Sequence, residues 1–504
     1  MSAGLWVLII FLALLVALVV YDLLQTKHAI LRNFPIIGHF RYILEAIGPE
    51  LRQYIVTDND EERPFSRDQR RWVYASAKKE NNYFGFGTDN DLENSPNYLI
   101  IKQSTFPKDD AHTDPLYLVP CAKVVGGPRG RRHAYRPESI VYTTAMSYGS
   151  LSAAAVEAIN RGVVMARSQQ NTGEGGISPH HDHGGDLIYQ LGTGYFGARD
   201  EHGNFSMEKL KEKCQRYKVR AVELKLSQGA KPGRGGVLPG AKVTKEIAEI
   251  RHVPLGRDVI SPPMHTAFRS ADEMLDLVER IADETGRPVG IKSAVGALGF
   301  WEELAALMAK GDRGVDYIQI DGGEGGTGAA PLVFTDHVAL PFKIGFSRVY
   351  QIFARHGLTD RVAFVGSGRL GFPAESLFAM GLGCDLIAVG REAMMAVGCI
   401  QAQRCHTGRC PTGVATQSKW LMRGLDPEVK SHRLANYLVS LRKELMWLTH
   451  ACGYDHPAEV TLDDFEIVDE CFRTRPPREL FGYEAGWGVP SAGLLTDVRR
   501  LMPS

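Results

Sequence analysis

PVGIKSAV (Pro288–Val295), FWEELAALMAKG (Phe300–Gly311), VDYIQI (Val315–Ile320), DGGEGGTG (Asp321–Gly328), RVAFVGSG (Arg361–Gly368), PAESLFAMGLG (Pro373–Gly383), DLIAVG (Asp385–Gly390) and REAMMAVG (Arg391–Gly398) follow one another with a single rhythm. Short β-rich apolar runs end in glycine-rich loops, and amphipathic helical runs come next. The same beat extends upstream. SIVYTTAM (Ser139–Met146) precedes SAAAVEAINRGVVMA (Ser152–Ala166), and RAVELKL (Arg220–Leu226) leads through QGAKPGRGG (Gln228–Gly236) into AKVTKEIAEIRH (Ala241–His252). Strand–loop–helix repetition implies a parallel sheet with helices outside. About 270 residues in this rhythm suit a closed (β/α)8 TIM barrel, with an open doubly wound sheet as the alternative. In the barrel, functional loops follow the C-terminal ends of the strands, and that is where the unusual residues fall.

The last two strand ends carry Gly366-Ser367-Gly368-Arg369 and Gly390-Arg391. Glycines let backbone N–H groups approach a phosphate, and Arg391 adds a charged donor. Gly366–Gly371 also fits a dinucleotide fingerprint, but the residue about 20 positions on is Arg391, where that motif needs an acid. Asp321–Gly328 is a loop able to lie flat on a planar ring or a phosphate. Lys292 ends an inward-facing strand, a costly position unless it meets an anion such as the N1–C2=O edge of a flavin. Gln228 suits hydrogen bonding to a ring edge. Glu174, in NTGEGG (Asn171–Gly176), suits general acid–base work or ammonium binding. His180, His181 and His183 crowd one irregular segment and read as ordinary loop histidines.

Cys399, Cys405 and Cys410 lie within twelve residues. Three thiolates at this spacing suit an iron–sulfur cluster lacking one iron, or a zinc completed by His406. Eight cysteines in 504 residues make no disulfide framework. The 58 basic residues equal the 58 acidic ones, so the chain lacks the footprint of a nucleic-acid binder.

Residues 3–24 are almost wholly apolar, as a bilayer-spanning helix of about 20 residues requires. No basic residue precedes the run and no A-x-A site follows it, unlike a cleaved signal peptide. Lys27, Arg32 and Arg41 come after it, so a single-pass membrane protein with a cytoplasmic catalytic region is expected. Residues 25–135 form a juxtamembrane extension, 136–420 the barrel with its cysteine motif, and 421–504 a helical C-terminal extension.

AMSYGSLS (Ala145–Ser152), NTGEGG, KLSQGAKPGRGGVLPGAKV (Lys225–Val243), ISPP (Ile260–Pro263), DGGEGGTGAAP (Asp321–Pro331) and GCIQAQRCHTGRCPTGVATQ (Gly398–Gln417) together resemble the FMN-binding domain of glutamate synthase, in the family's order. The resemblance covers roughly residues 139–420. It implies a (β/α)8 barrel, FMN, and a [3Fe–4S] cluster on Cys399, Cys405 and Cys410. It implies FMN contacts from Ala145, Met146, Ser147, Gln228, Lys292, Asp321, Gly322, Gly323, Gly325 and Gly326, and from Gly366, Ser367, Gly368, Arg369, Gly390 and Arg391. Lys231 and Arg251 match basic residues of the 2-oxoglutarate site, and Glu174 matches an acid beside the ammonia path. The resemblance therefore implies reductive amination of a 2-oxo acid with electrons from an external donor such as ferredoxin. No glutaminase or pyridine-nucleotide domain is expected, so nitrogen would come as ammonia or an amine.

Two departures stand out. Arg234 replaces an acid of the family pattern, and Val237 replaces a glutamine. They leave a different amine or imine substrate open, and a membrane electron-relay subunit is the non-enzymatic alternative.

Overall fold

The computed structural model describes residues 2–109, 114–469 and 472–502. Residues 1–70 and 71–504 form two compact units. In the first, helix Ala3–Leu24 has 22 residues and is long and apolar enough to cross a membrane. At 1.5 Å per residue it spans about 33 Å. Most of its apolar side chains are exposed. Asp22, by contrast, is buried; it accepts the Ile36 N–H at 3.0 Å and meets His39 Nε2 at 2.9 Å. Helices Ala29–Asn33 and Gly38–Leu51 follow.

The second unit is built on a closed barrel of eight parallel strands. These are β1 (Val141–Thr143), β2 (Gln169–Asn171), β3 (Asp186–Leu191), β4 (Val219–Lys225), β5 (Val289–Ala294), β6 (Tyr317–Asp321), β7 (Ala363–Ser367) and β8 (Leu386–Val389). Each pairs with the next in sequence, and Val389 of β8 pairs with Thr143 of β1 to close the ring. Strands buried on both faces need continuous apolar content, which explains runs such as RVAFVGSG. The open-sheet alternative fails because closure removes both edges.

Helices cover the barrel where side-chain caps start them. Ser152, Ser206, Thr244 and Ser270 each accept a backbone N–H three residues on, which begins helices Ala153–Met165, Met207–Arg216, Lys245–Arg251 and Ala271–Thr285. The long helix Pro427–Ala451, capped by Asp426, lies against Ala153–Met165. Its Leu434, Leu438, Leu441 and Leu445 are fully buried, each contributing about 1.5–3 kcal/mol. Gly162 permits the close approach, since a Cβ there would lie 2.8 Å from the Ser431 carbonyl oxygen.

The flanking segments also build a small antiparallel sheet. Leu99–Ile101 pairs with Phe465–Val468, which pairs with Thr474–Arg475. Cys471 lies outside the described residues, and the other seven cysteines carry no disulfide.

Candidate active site

All the residues singled out in the barrel lie at or beyond the C-terminal ends of its strands, apart from Lys292, which lies within β5. Ala145, Met146 and Ser147 follow β1; Glu174 follows β2; Gln228 and Lys231 follow β4. Asp321 ends β6 and leads into Gly322–Gly326. Gly366 and Ser367 end β7, with Gly368 and Arg369 just beyond, and Gly390 and Arg391 follow β8. Arg251 arrives from the end of helix Lys245–Arg251, in the long excursion between β4 and β5.

The acid of the site is Glu174. Its Oε1 lies 2.9 Å from Lys225 Nζ, which also donates to Gln228 Oε1 at 2.5 Å. Burial by itself raises the Glu174 pKa, but Lys225, Arg251 and Lys231 outweigh it and hold the carboxyl below its usual range. Lys231 is buried and donates to the Ala329 carbonyl at 2.8 Å. Burial and the charge of Lys225 push it down to about 8. Arg251 is buried too, donates through Nη2 to the Tyr148 carbonyl at 2.8 Å, and leaves Nε without a hydrogen-bond partner. Three cations therefore face one carboxylate in a site largely closed to water. The surplus is positive, and it suits an anion.

The glycines of this rim are places of close approach. A Cβ at Gly236 would lie 2.3 Å from Glu174 Oε1, one at Gly229 would lie 1.9 Å from the Gly322 carbonyl oxygen, and one at Gly235 would lie 1.7 Å from the Ser261 carbonyl oxygen. The QGAKPGRGG loop is thus pressed between Glu174, the β6 loop and the ISPP segment.

On the neighbouring strand, where it pairs with Lys225, Lys292 lies inside the barrel with Nζ 3.1 Å from Asp321 Oδ2. Gln319 Nε2 donates to the other Asp321 oxygen at 3.2 Å and to Thr144 Oγ1 at 3.0 Å. The Gly322 N–H donates to the Ser367 carbonyl at 2.8 Å, joining the loops after β6 and β7. Arg391 Nη2 donates to the Glu324 carbonyl at 2.6 Å. Burial raises the pKa of the Glu324 carboxyl despite Arg369 and Arg391 nearby.

The three cysteines follow helix Arg391–Ala396. Cys410 Sγ meets Thr412 Oγ1 at 3.5 Å, and Cys399 Sγ accepts the Gln401 N–H at 3.4 Å. Burial raises Cys410, but the N–H groups of Ala415, Thr412 and Val414 and the Thr412 hydroxyl bring it below its ordinary value. Burial pushes Cys399 up to about 12, with Cys405 and Cys410 adding to the rise. The thiols therefore feel one another. Even so, among the described residues no three His, Cys, Asp or Glu side chains are gathered closely enough to hold a metal ion.

The histidines disperse. His181 is buried against Ser178 and pushed down to about 3, His180 faces Glu246 at 3.2 Å, and His183 faces Glu157 at 3.9 Å.

Lys225 is the residue that sequence reasoning passed over. It lay in the quoted KLSQGAK segment without a role. The available signal was its position at a strand end, two residues after Glu223 and so on the same inward face.

Strand order and rim together define a (β/α)8-barrel enzyme with its polar machinery at the C-terminal face. Residues 129–455 match the conserved region in glutamate synthase, and the chain belongs to that family. It is accordingly an oxidoreductase of the class acting on CH–NH2 groups. It is 39% identical over 467 residues to the glutamate synthase large subunit-like protein YerD of Bacillus subtilis, covering 86% of this chain and 88% of that one. It is 38% identical over 314 residues to the archaeal glutamate synthase [NADPH] of Methanocaldococcus jannaschii, covering 61% of this chain and 58% of that protein. Among solved structures it is similar to a mandelate oxidase variant with an FMN adduct, at a TM-score of 0.42 and 13% identity over 84% of this chain and 97% of that one.

Proposed function

We propose that the chain is a membrane-anchored, FMN- and iron–sulfur-dependent oxidoreductase that reductively aminates 2-oxoglutarate to glutamate with electrons from an external donor such as ferredoxin. The observation that carries this reading is the buried Glu174 carboxylate faced by Lys225, Arg251 and Lys231. A dicarboxylate substrate needs cations of this kind, and an amination needs a carboxylate able to hold ammonium and move protons.

The residues present suit FMN. Lys292 is a buried cation that would serve as the partner of a flavin N1–C2=O edge. The glycines at 229, 322 and 325 let the loops after β4 and β6 approach each other at backbone distance, and Gly366–Arg369 with Gly390–Arg391 suit a phosphate. FMN held there would supply hydride chemistry; a [3Fe–4S] cluster on Cys399, Cys405 and Cys410 would supply single electrons, and binding it would require the three side chains to draw together. Lys231 and Arg251 hold the substrate carboxylates. Glu174, ionised at rest, accepts hydrogen bonds from an incoming ammonium, takes one proton from it as ammonia adds to the carbonyl, and returns that proton as water leaves. The close loops of the rim exclude water around it.

Helix Ala3–Leu24 anchors the protein, and the catalytic unit faces the cytoplasm. The membrane fraction and the flavin and iron content of the purified chain test these points. Turnover is tested with 2-oxoglutarate, ammonia or glutamine, and chemically reduced ferredoxin. A loaded protein that forms no glutamate with any donor would falsify the synthase reading.

A second reading keeps the cofactors and changes the substrate. Val237, 37% exposed, pairs across a two-stranded ribbon with Ile260, 70% exposed, directly after the glycine that backs onto Glu174. An apolar wall there favours a substrate with an apolar substituent over a second carboxylate. Val237→Gln with Arg234→Glu then impairs the natural reaction and improves use of 2-oxoglutarate. Unchanged selectivity counts against this second reading.

A further inference from the structure

The cysteine loop is fastened to the barrel along one seam. The Ser152 N–H donates to the Val414 carbonyl at 2.9 Å. Gln417 Nε2 donates to the carbonyls of Leu151 at 2.8 Å and Gly149 at 3.2 Å. At the centre of the seam is Lys242, only 4% exposed. Its Nζ donates to three carbonyls: Cys405 at 2.7 Å, Ala415 at 3.1 Å and Ser150 at 3.4 Å. Ser150 belongs to the loop after β1 that also carries Ala145–Ser147, whereas Cys405 and Ala415 flank Cys410.

Lys242 is itself held rigidly. It closes the short helical turn Gly240–Lys242, where the Gly240 N–H donates to Asp258 Oδ1 at 2.6 Å. A Cβ at Gly240 would lie 2.6 Å from the Gly256 carbonyl oxygen, so the turn is packed on its far side.

A buried ammonium normally has a carboxylate beside it. Among the described residues none forms an ion pair with Lys242. The acidic groups whose field reaches it are the thiols of Cys405 and Cys410. Three carbonyl dipoles solvate the charge, one of them the Cys405 carbonyl itself.

We infer that Lys242 is a positioning residue: its ammonium clasps the cysteine loop onto the loop after β1 and provides the fixed positive charge beside the sulfurs of Cys405 and Cys410. The second half rests on the iron–sulfur reading above, and the first half does not. The clasp fixes the spacing between the cysteine motif and the flavin loop. Its charge favours the more negative, reduced state of a thiolate-held cluster.

The test uses the full chain, purified anaerobically as wild type, Lys242→Met and Lys242→Gln. Hydrogen exchange across 399–417, iron and acid-labile sulfide per chain, and the cluster's midpoint potential are read together. The Met variant is expected to exchange at least tenfold faster in 399–417 with β5 and β6 still protected, and to hold half the iron or less. The Gln variant keeps donors to the carbonyls but no charge; it is expected to retain loop protection with a lower midpoint potential. If the Met variant does not fold, the Gln variant decides. Met exchange equal to wild type overturns the clasp, and a Gln potential equal to wild type overturns the charge role. A wild-type chain without iron or sulfide removes the cluster reading and the charge role with it, while exchange in the Met variant still judges the clasp.

Discussion

Lys225 Nζ lies 2.9 Å from Glu174 Oε1, tying the end of β4 to the loop after β2. The side chains are 10% and 17% exposed, so the pair is only weakly screened. Lys225→Met removes the largest cationic influence on Glu174. The carboxyl then rises towards its usual range, and the folded state loses about 1–3 kcal/mol, the cost of a buried acceptor left short of a donor. Denaturant unfolding reads the loss, and the acid limb of the rate profile moves to higher pH.

Lys231, pushed down to about 8, gives the alkaline limit. Below that pH it is a cation and grips a carboxylate; above it the grip fades as the proton leaves. KM for an anionic substrate should therefore rise about tenfold per pH unit above 8 while kcat changes little. Lys231→Arg keeps the charge and should flatten this limb. A KM that does not change between pH 7 and 10 removes Lys231 from substrate binding.

Lys292 and Asp321 should act on a bound flavin in opposite directions. A cation at a flavin's N1 edge favours the anionic reduced form, so Lys292→Met should lower both the flavin midpoint potential and FMN affinity. Asp321→Asn takes away the counter-ion at 3.1 Å and should raise the potential. Spectroelectrochemical titration of the two proteins decides between these directions.

Gly229→Ala places a Cβ 1.9 Å from a backbone oxygen of Gly322, a contact that no rotamer relieves. The loops after β4 and β6 must part, at a cost of about 1–3 kcal/mol, with bound FMN falling in parallel. Gly233→Ala is the control in the same loop. It meets nothing within 4 Å, although its φ of +76° costs something by itself, on the order of 1 kcal/mol.

Serine at Cys399, Cys405 or Cys410 should abolish iron and sulfide, whereas Cys214→Ala, a buried thiol far along the chain from the loop, should leave both intact. Electron paramagnetic resonance at low temperature checks this, and iron retained in all three serine variants would refute the ligand assignment.

Deleting residues 3–24 should move the protein from the membrane fraction to the soluble one without loss of flavin. Recovery of full-length protein in the soluble fraction after carbonate washing argues against an anchor.

The barrel was legible in the chain because burial on both faces of a parallel strand demands continuous apolar runs, and Pro288–Gly398 supplies four of them with glycine loops between. The rim was legible because a lysine inside a barrel or a loop of five glycines has few other uses. Three things were not. Lys225 as the partner of Glu174 depends on which loop folds over which strand end, and spacing along the chain does not carry that. The sheet joining Leu99–Ile101 to Phe465–Val468 pairs short strands from opposite ends of the unit, where local pattern is too weak to register. Lys242 looked like one more basic residue on an amphipathic stretch. Only the tertiary structure buries its ammonium among three carbonyls beside the cysteines, because hydrogen bonding and desolvation depend on distances through space. The sequence by itself determined the architecture and the kinds of group at its rim; the fold decided which of them meet.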